Sequence, residues 1–513
     1  MASKRELPLI ENTDSSVASH PRKSLKRNTL YNLGGSLTAM LVSLITVPLF
    51  IHKIGTERFG VLAIVWLFIG YFGLFDLGLS RATANQMARL EDAEDRAEVF
   101  WTALLMNAGI GIIGGLIMWI AGRFVFLHAL KMSPAMSASV AVMLPWLGAA
   151  VPIITVAAVL TGVLEGCDKF LAVNSLQVFG SVLLQALPLA VAYWRGPELN
   201  WLIGAAILAR VTNTIPMMAT VLRVIRVGHP RRPSRRWAAT LFGYGSWVTI
   251  SNIVIPIFTS IDKFMIGAIS GLAAVTYYAV PERFARQASI FPAAMARTLF
   301  PRMSSGSHET AKATGHRSLI ALNAVLTPLT VLLVMGIRPF LAHWIDPRFA
   351  AVAGPVGAVV SVSIWVNGLA YVPYAFLDAR GRPDLTAKFH LIEVPPHLLL
   401  LWWALHRFGL IGGAVALVFV SLLDAALLFW KSDLRVHRIA SCWVGLGWVS
   451  IAFALAPSYA ALHGWFYVLV GLLVAGSAFW GLKVSEDVSG FVRGALAKLR
   501  PFHPVKYHGQ GLP

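Results

Sequence analysis

Long apolar stretches alternate with short polar segments along almost the whole chain. Most of these stretches reach the roughly 20 residues that an α-helix needs to cross a bilayer. We count fourteen of them: 29–51, 60–80, 99–122, 139–163, 171–194, 201–222, 241–262, 272–299, 319–337, 350–377, 387–405, 410–430, 439–460 and 464–482. The pattern predicts an all-α polytopic membrane protein with about 14 transmembrane helices.

The first six and the next six stretches resemble each other. The segments "YNLGGSLTAMLVSLITVP" (31–48) and "LFGYGSWVTISNIVIP" (241–256) each place a Gly-Ser pair near the start and a Pro twelve or ten residues later. The junctions after the fourth stretch of each half, "VLEGCDKFLAVNSLQV" (163–178) and "FLDARGRPDLTAKFHLIEV" (376–394), both place an acidic residue before a short charged turn. Related halves are common in transporters, whose substrate site lies at the interface between the repeats.

The repeat and the polar segments divide the chain into two related six-helix lobes with additional parts. The predicted parts are an N-terminal cytoplasmic tail (1–28), a first lobe (29–222), a basic cytoplasmic linker (223–240), a second lobe (241–430), two extra C-terminal helices (431–482) and a cytoplasmic C-terminal tail (483–513).

The basic residues indicate an orientation in the membrane. Lys and Arg number 43 against 24 Asp and Glu, an excess that would also fit a nucleic-acid-binding protein. With the N-terminus inside, the predicted cytoplasmic segments and helix edges hold 30 Lys and Arg, the outer loops nine, and the apolar stretches four. This positive-inside bias predicts a multi-pass membrane protein with both termini cytoplasmic, and it leaves no reason to expect a nucleic-acid partner.

The loops disfavour several classes of membrane enzyme and pump. The first outer loop (52–59) has only eight residues, and no outer loop is large enough to carry the catalytic groups of a polysaccharide polymerase or ligase. No GxxxxGK[ST] phosphate-binding loop of an ATP-driven pump is present. Two distant cysteines, Cys167 and Cys442, form neither a disulfide framework nor a zinc pattern. The sequence therefore predicts a transporter, not an enzyme, that needs no cofactor or metal.

Charged residues interrupt the eighth stretch, 272–299. In a helix that turns about 100° per residue, Arg283, Arg286, Arg297 and Glu282 fall within an arc of about 100°. Glu282 and Arg286 are spaced i, i+4 and can form an ion pair. A charge at the bilayer centre costs at least ~2.5–3.5 kcal/mol on insertion scales, so this stripe should face water or a partner.

Two interpretations of the stripe remain open. It is either an ion-pair network that only holds helices together or the cationic wall of a hydrated cavity. The excess of Arg over acid favours the cavity and an anionic ligand, because the guanidinium fork matches phosphate oxygens. Arg297 can also reach the cytoplasmic surface. Arg210, nine residues into the sixth stretch, would line the same cavity from the first half or pair with a carboxylate. Pro281 is expected to kink the helix beside the charges.

Four acidic residues are candidates for coupling or gating. Glu282 is placed to bind or release Arg286. Asp76 and Asp262 lie near predicted helix ends, where local pairing is the simpler interpretation, and Lys263 adjoins Asp262. Glu393 precedes a Pro-Pro-His break inside the eleventh stretch and is a candidate proton or cation site.

Several motifs together carry a family resemblance. The segment 44–83, "LITVPLFIHKIGTERFGVLAIVWLFIGYFGLFDLGLSRAT", places a Pro before a Gly-x-x-x-[FY]-Gly turn and a DLGLS run. The segments "SIDKFMIGAISGLAAVTYYAV" (260–280) and "LDARGRPDLTAKFHLIEV" (377–394) follow in the same order as in the family. From about residue 28 to residue 430 the chain resembles the Wzx-type polysaccharide flippase branch of the multidrug/oligosaccharidyl-lipid/polysaccharide (MOP) superfamily. The motif residues of the first segment are Pro48, Gly55, Phe59, Gly60 and 76–80.

The resemblance implies a V-shaped pair of six-helix lobes in the bacterial cytoplasmic (inner) membrane that works by alternating access. It also implies that the substrate is an oligosaccharide linked to undecaprenyl pyrophosphate, destined for exopolysaccharide, capsule or O-antigen. The lipid bilayer, a polysaccharide polymerase and chain-length proteins would be its partners, and a coupling ion (H⁺ or Na⁺) or the membrane potential would supply the driving force. The alternatives within the superfamily are a lipid II flippase and a multidrug cation antiporter. A membrane-embedded polymerase or ligase is the alternative outside it.

Overall fold

The computed structural model of the protein describes residues 22–71, 75–226, 231–242, 260–434, 439–462 and 464–499. Most of the predicted seventh span (241–262), and with it the Gly-Ser signature of the second half, lies outside the described residues. So does nearly all of the predicted N-terminal tail, of which only the part from residue 22 is described and is helical.

Six helices form the first half of the described chain. Pro134 opens the fourth helix directly after Ser133, whose hydroxyl caps the Met136 N–H, and Asp92 caps the third helix in the same way. The helices are α1 (Arg22–Tyr71), α2 (Leu79–Arg89), α3 (Ala93–Phe124), α4 (Pro134–Gly166), α5 (Phe170–Arg195) and α6 (Leu199–Ile225).

The second half contains six further labelled helices and is followed by three more. They are α7 (Ile261–Ile269), α8 (Leu272–Ala285), α9 (Ile290–Ser305), α10 (His308–Trp344), α11 (Pro347–Ala379), α12 (Pro383–Ser432), α13 (Ala440–Leu455), α14 (Gly464–Val484) and α15 (Glu486–Leu499). The last of these, α15, lies within the predicted C-terminal tail.

Ten of the described helices are long and apolar enough to cross a membrane. Two of them, α1 and α12, each contain one glycine with non-helical backbone angles, Gly55 (φ 81°) and Gly409 (φ 58°). Positive φ is a conformation that glycine adopts at little cost, and both glycines lie in predicted outer loops between two spans. Each long helix therefore corresponds to two predicted spans joined by a tight turn. The prediction of an all-α polytopic membrane protein is confirmed.

The predicted eighth span is not one continuous helix. A 3-10 turn at Arg286–Ser289 separates α8 from α9. Pro292 has no N–H to donate to the carbonyl of Ala288, so the α-helical ladder is broken there and the turn can tighten. The charged residues of 272–299 are therefore divided between two helices, and Arg297 lies on α9.

The helices pack as two bundles with a limited contact zone. In the first bundle α3 packs on α4, α5 on α6, and α1 on α5; in the second, α11 lies between α10 and α12. The main contact between the bundles joins α1 to α8. The two additional helices α13 and α14 pack on α10, where Gly481 lies against the backbone of Ala324 so closely that a Cβ would be 2.5 Å from its carbonyl oxygen.

Candidate functional site

A cavity of about 700 Å³ lies between the two bundles. Helices α1, α5 and α6 form its wall on one side, and α7 and α8, together with Ser260 before α7 and Arg286 after α8, form the other. Its lining residues include aromatic and aliphatic side chains as well as five charged ones: Arg210, Lys263, Glu282, Arg283 and Arg286.

Glu282 is the centre of an ion-pair cluster on this wall. Its side chain is 3% exposed, and its carboxylate binds Lys263 Nζ at 2.7 Å through one oxygen and the Arg286 guanidinium through the other. Lys263 Nζ is also 3.6 Å from Asp262. The four residues therefore form a chain of alternating charge, in which each buried acid has a basic partner.

Local structure explains how this cluster forms. Glu282 and Arg286 are one turn apart at the end of α8, so the i, i+4 pair expected from the sequence is present. Lys263 comes from α7, which packs along α8. The first turn of α7 carries Asp262, whose Oδ1 accepts the Lys263 N–H at 2.9 Å. Tertiary packing thus adds a second cation to a pair that the sequence already encodes.

Arg283 is held by neutral groups. Its Nη2 donates to Ser43 Oγ at 2.6 Å. Ser43 and Thr46 in turn donate to Gln185 Oε1, each at 2.9 Å. Gln185 comes from α5, so one hydrogen-bond chain links the second bundle to two helices of the first. Among the described residues, no carboxylate forms an ion pair with Arg283.

Arg210 is the second cation of the cavity without a carboxylate partner in the described part of the chain. It lies on α6, on the wall opposite Lys263, and its Nε is buried without a hydrogen-bond partner. A buried, unsatisfied donor of a charged group costs free energy unless a ligand or water binds it. Arg210 is therefore suited to bind an anion that enters the cavity.

The charges do not cancel. Four lining residues are cationic and one is acidic, which gives the wall a formal charge of +3. Asp262, behind Lys263, reduces the charge of the whole group to +2. Lys263 and Arg286 neutralise Asp262 and Glu282, so the surplus corresponds to Arg210 and Arg283.

Contacts between the bundles close the predicted outer side of this cavity. Thr276 Oγ1 donates to the Thr56 carbonyl at 2.7 Å, next to the outer turn of α1. Gly60 lies so close to Leu272 that a Cβ on it would be 2.0 Å from the Leu272 carbonyl oxygen. Glycine is thus required for the backbones of α1 and α8 to approach this closely.

Two further hydrogen bonds between the bundles also lie on the predicted outer side of the cavity. Trp344 Nε1 donates to the Leu44 carbonyl at 2.6 Å, and the Lys131 N–H donates to the Gly267 carbonyl at 3.0 Å. Each of these bonds joins one bundle to the other.

Of the residues predicted to form the site, Arg283, Arg286, Arg210 and Glu282 line the cavity together. Asp262 lies directly behind it. Arg297 does not: it is an exposed residue of α9 and is not part of the cavity wall. The 3-10 turn at Arg286–Ser289 separates Arg297 from α8, so the four charged residues do not lie on the single continuous helix expected from the sequence.

The remaining two candidates lie elsewhere. Asp76 accepts hydrogen bonds from the backbone N–H and hydroxyl of Ser80 and so holds the start of α2, in keeping with local pairing. Glu393 is a buried residue of α12, close to His390 and Asp424 rather than to the cavity.

Three groups of the site are missing from the sequence-based predictions: Lys263 and Gln185 line the cavity, and Ser43 bonds to Arg283. Lys263 was considered only as a neighbour of Asp262, and Ser43 and Gln185 were not considered. A sequence signal for the last two exists: Gln185 is the one amide in the apolar stretch 178–194, and Ser43 and Thr46 are spaced i, i+3 on one face of another span.

The comparison with known families identifies the relatives of this chain. Residues 25–307 match the family described as "Polysaccharide biosynthesis protein". The chain belongs to this family. The chain is also similar to the "Putative O-antigen transporter" of Shigella flexneri, which is 25% identical over 409 residues, covering 79% of this chain and 97% of that protein.

Solved structures show the same fold for this family member. An inward-facing multidrug resistance MATE family transporter of the MOP superfamily aligns with a TM-score of 0.63 at 15% identity, over 80% of this chain and 95% of that one. The lipid II flippase MurJ, in an inward closed conformation, also has a TM-score of 0.63, at 11% identity, and covers 91% and 100% of the two chains.

These comparisons confirm the expected family and class. The protein is a multi-pass membrane transporter of the flippase class in polysaccharide biosynthesis, with a MOP superfamily fold, and it is not an enzyme.

Proposed function

We propose that the protein translocates oligosaccharides linked to undecaprenyl pyrophosphate across the cytoplasmic membrane, with the diphosphate bound in the cavity between the bundles. The observation that carries the proposal is the pair Arg210 and Arg283. Both line the cavity, they come from opposite bundles, and neither has a carboxylate partner among the described residues.

The charge of the cavity suits this head group. A pyrophosphate that bridges a lipid and a sugar carries two negative charges, and the ionised cluster has a surplus of two positive ones. Guanidinium groups bind phosphate oxygens through two parallel hydrogen bonds. Away from bulk water such charge-assisted bonds are stronger than on a surface. The polar lining would replace the hydration of the head group while the lipid tail stays in the bilayer.

Glu282 supplies a means of release. In the present conformation it binds both Lys263 and Arg286, so Arg286 is neutralised. In the state that holds substrate, we propose, Arg286 turns from Glu282 toward the phosphate, and Lys263 keeps the buried carboxylate paired. A ligand with equal affinity for both states would shift no population, so a state-dependent partner for Arg286 lets the two states differ in their affinity for the substrate.

The membrane potential can drive this transport. With both termini cytoplasmic, as we propose from the distribution of basic residues, export moves two negative charges toward the positive outer side. That step is favourable by ~4.6 kcal/mol per 100 mV. A coupling ion, H⁺ or Na⁺, would add to this force. A polysaccharide polymerase and chain-length proteins would then take over the exported unit.

The name of the Shigella flexneri relative supports an O-antigen type of substrate for this chain. A multidrug cation antiporter is disfavoured by the surplus positive charge of the cavity, since that charge repels a cationic drug. A lipid II flippase would use the same diphosphate chemistry, and the sugar attached to the diphosphate distinguishes the two.

The experiment is an accessibility assay in spheroplasts of a strain that lacks the gene. The lipid-linked oligosaccharide is probed with an impermeant glycosidase or lectin, and the strain is complemented with wild type, Arg210→Ala/Arg283→Ala or Arg297→Ala. We expect enzyme-protected intermediate to accumulate in the deletion strain and with the double variant, and to disappear with wild type and with Arg297→Ala. Arg297→Ala is the matched control because it removes an arginine outside the cavity.

Two outcomes would contradict the proposal. If no intermediate accumulates in the deletion strain, or if it is already exposed outside, the protein acts at another step. If Arg210→Ala/Arg283→Ala restores transport as well as wild type does, the cavity does not bind the diphosphate through these residues.

A further inference from the structure

A second polar cluster lies within the second bundle, away from the cavity. The turn at Gly409 divides α12 into two arms, 383–408 and 410–432, which run back along each other. Glu393 of the first arm thereby lies next to Asp424 of the second. His390 Nδ1 lies 3.7 Å from Glu393 Oε2 and 3.9 Å from Asp424 Oδ1. One donor atom from each of the three residues lies within 4.8 Å of the other two.

The carboxylates of this cluster are buried and incompletely bonded. Glu393 is 6% exposed and Asp424 is 8% exposed. Glu393 Oε1 and Asp424 Oδ1 have no hydrogen-bond partner, and Glu393 Oε2 faces His390. In the described part of the chain, no Lys or Arg forms an ion pair with either acid. Two buried acids side by side are costly unless a positive charge compensates them. The described side chains nearby offer only imidazoles, His390 beside both acids and the buried His397 one turn beyond Glu393.

The donor set indicates what would supply that charge. A cation equidistant from three atoms with this spacing would lie about 2.0–2.5 Å from each, which is the usual range for metal bonds to nitrogen and oxygen. Imidazole nitrogen suits Zn²⁺ and carboxylate oxygen suits Mn²⁺, so this mixed ligand set can bind either ion. Na⁺ and Mg²⁺ prefer oxygen ligands and are poorly suited to it. One divalent ion would also neutralise both acids when His390 is neutral.

We propose that His390, Glu393 and Asp424 form a binding site for one divalent cation of the Zn²⁺ or Mn²⁺ class. The side chain of His390 is 48% exposed, so the site can be reached from outside the bundle. The ion would join the two arms of α12, one through His390 and Glu393 and the other through Asp424. This proposal does not depend on the substrate of the transporter, because it rests on side chains outside the cavity.

Binding to the purified full-length protein tests the proposal directly. The protein is freed of its affinity tag, stripped with EDTA and titrated with Co²⁺, whose visible absorption reports nitrogen and oxygen ligation, and then with Zn²⁺ and Mn²⁺ in competition. We expect one Co²⁺ per chain, displaced by Zn²⁺, together with a higher midpoint of thermal unfolding when metal is present. Glu393→Gln, Asp424→Asn and His390→Ala should each weaken binding by at least about 10-fold.

Two control variants come from the same helix. His406→Ala removes an exposed histidine whose Nδ1 is bonded to the Trp402 carbonyl, and Asp384→Asn removes an exposed acid near the start of α12. Both should bind Co²⁺ as wild type does. If a charge-removing variant fails to elute as a folded protein, His390→Ala still tests the site, because it leaves both carboxylates in place.

The proposal is overturned if wild type binds no Co²⁺, Zn²⁺ or Mn²⁺ above the level of non-specific binding. It is also overturned if the three site variants bind as tightly as the two controls. Stability that responds to pH but to none of the three metals would identify a proton site instead, and would equally refute the metal site.

Discussion

Lys263 Nζ lies 2.7 Å from Glu282 Oε2, on the oxygen that Arg286 leaves free. The side chains of both partners are less than 10% exposed. This contact makes Glu282 a buried carboxylate with two cations. It can therefore lose one partner to a ligand without being left unpaired, which is the property that the proposed release mechanism requires.

Lys263→Met should destabilise the protein strongly. It removes the shared partner of Asp262 and Glu282 and leaves Asp262 as a buried charge with no ion pair, a change that typically costs about 3–5 kcal/mol. We expect a clearly lower midpoint of thermal unfolding in detergent. The double variant Lys263→Met/Asp262→Asn restores the charge balance and should recover about half of the loss. A single variant as stable as wild type would show that the cluster is hydrated and not tightly paired.

Glu282→Gln should bind substrate more tightly and transport it more slowly. Without the carboxylate, Arg286 has no competitor for the phosphate, so release becomes the slow step. About 1.4 kcal/mol of added binding corresponds to about 10-fold lower turnover. The spheroplast assay, run at several pH values and membrane potentials, measures the change. A variant whose transport rate, pH dependence and voltage dependence all equal those of wild type would rule out the switching role of Glu282.

Ser43→Ala should reduce transport without unfolding the protein. The Ser43 hydroxyl accepts a hydrogen bond from Arg283 and donates one to Gln185. Without this hydroxyl the Arg283 guanidinium stays in the cavity, but nothing holds it in position there. A hydrogen bond to a charged group contributes about 1.5–3 kcal/mol, so we expect a loss of about 10-fold or more. Ser181→Ala is the control, because Ser181 lines the cavity but its hydroxyl bonds to its own helix, at the Gln177 carbonyl. Equal effects of the two substitutions would count against a positioning role.

Gly60→Ala should impair transport far more than Gly109→Ala. A Cβ at Gly60 would meet the Leu272 carbonyl oxygen at 2.0 Å, whereas nothing lies within 4 Å of a Cβ at Gly109. The first substitution prevents α1 and α8 from closing the predicted outer side, so the inward-open part of the cycle is disfavoured. Complementation of the deletion strain compares the two. Normal transport by Gly60→Ala would mean that this close approach is not needed.

Much of this architecture follows from local sequence patterns. The length of each apolar stretch indicates whether it can cross a bilayer. Such a stretch must be helical, because backbone N–H and C=O groups in the hydrocarbon core have to bond to each other. The pairing of Glu282 with Arg286 also follows from the sequence, since residues four apart on a helix are neighbours whatever surrounds them. The helix break at Arg286–Ser289 is harder to predict, because Pro281 and Pro292 are both possible points of interruption.

The sequence by itself determined the membrane class, the family resemblance and the presence of intramembrane arginines that require a partner. Only the tertiary structure decided which of these arginines have a carboxylate partner among the described residues and which do not. Lys263 reaches Glu282 from another helix, Gln185 and Ser43 support Arg283 across the two bundles, and Asp424 meets Glu393 after a turn of the chain. The physical reason is that charge compensation depends on distances of a few ångströms between side chains of different helices, and the packing of those helices sets these distances while spacing along one helix does not.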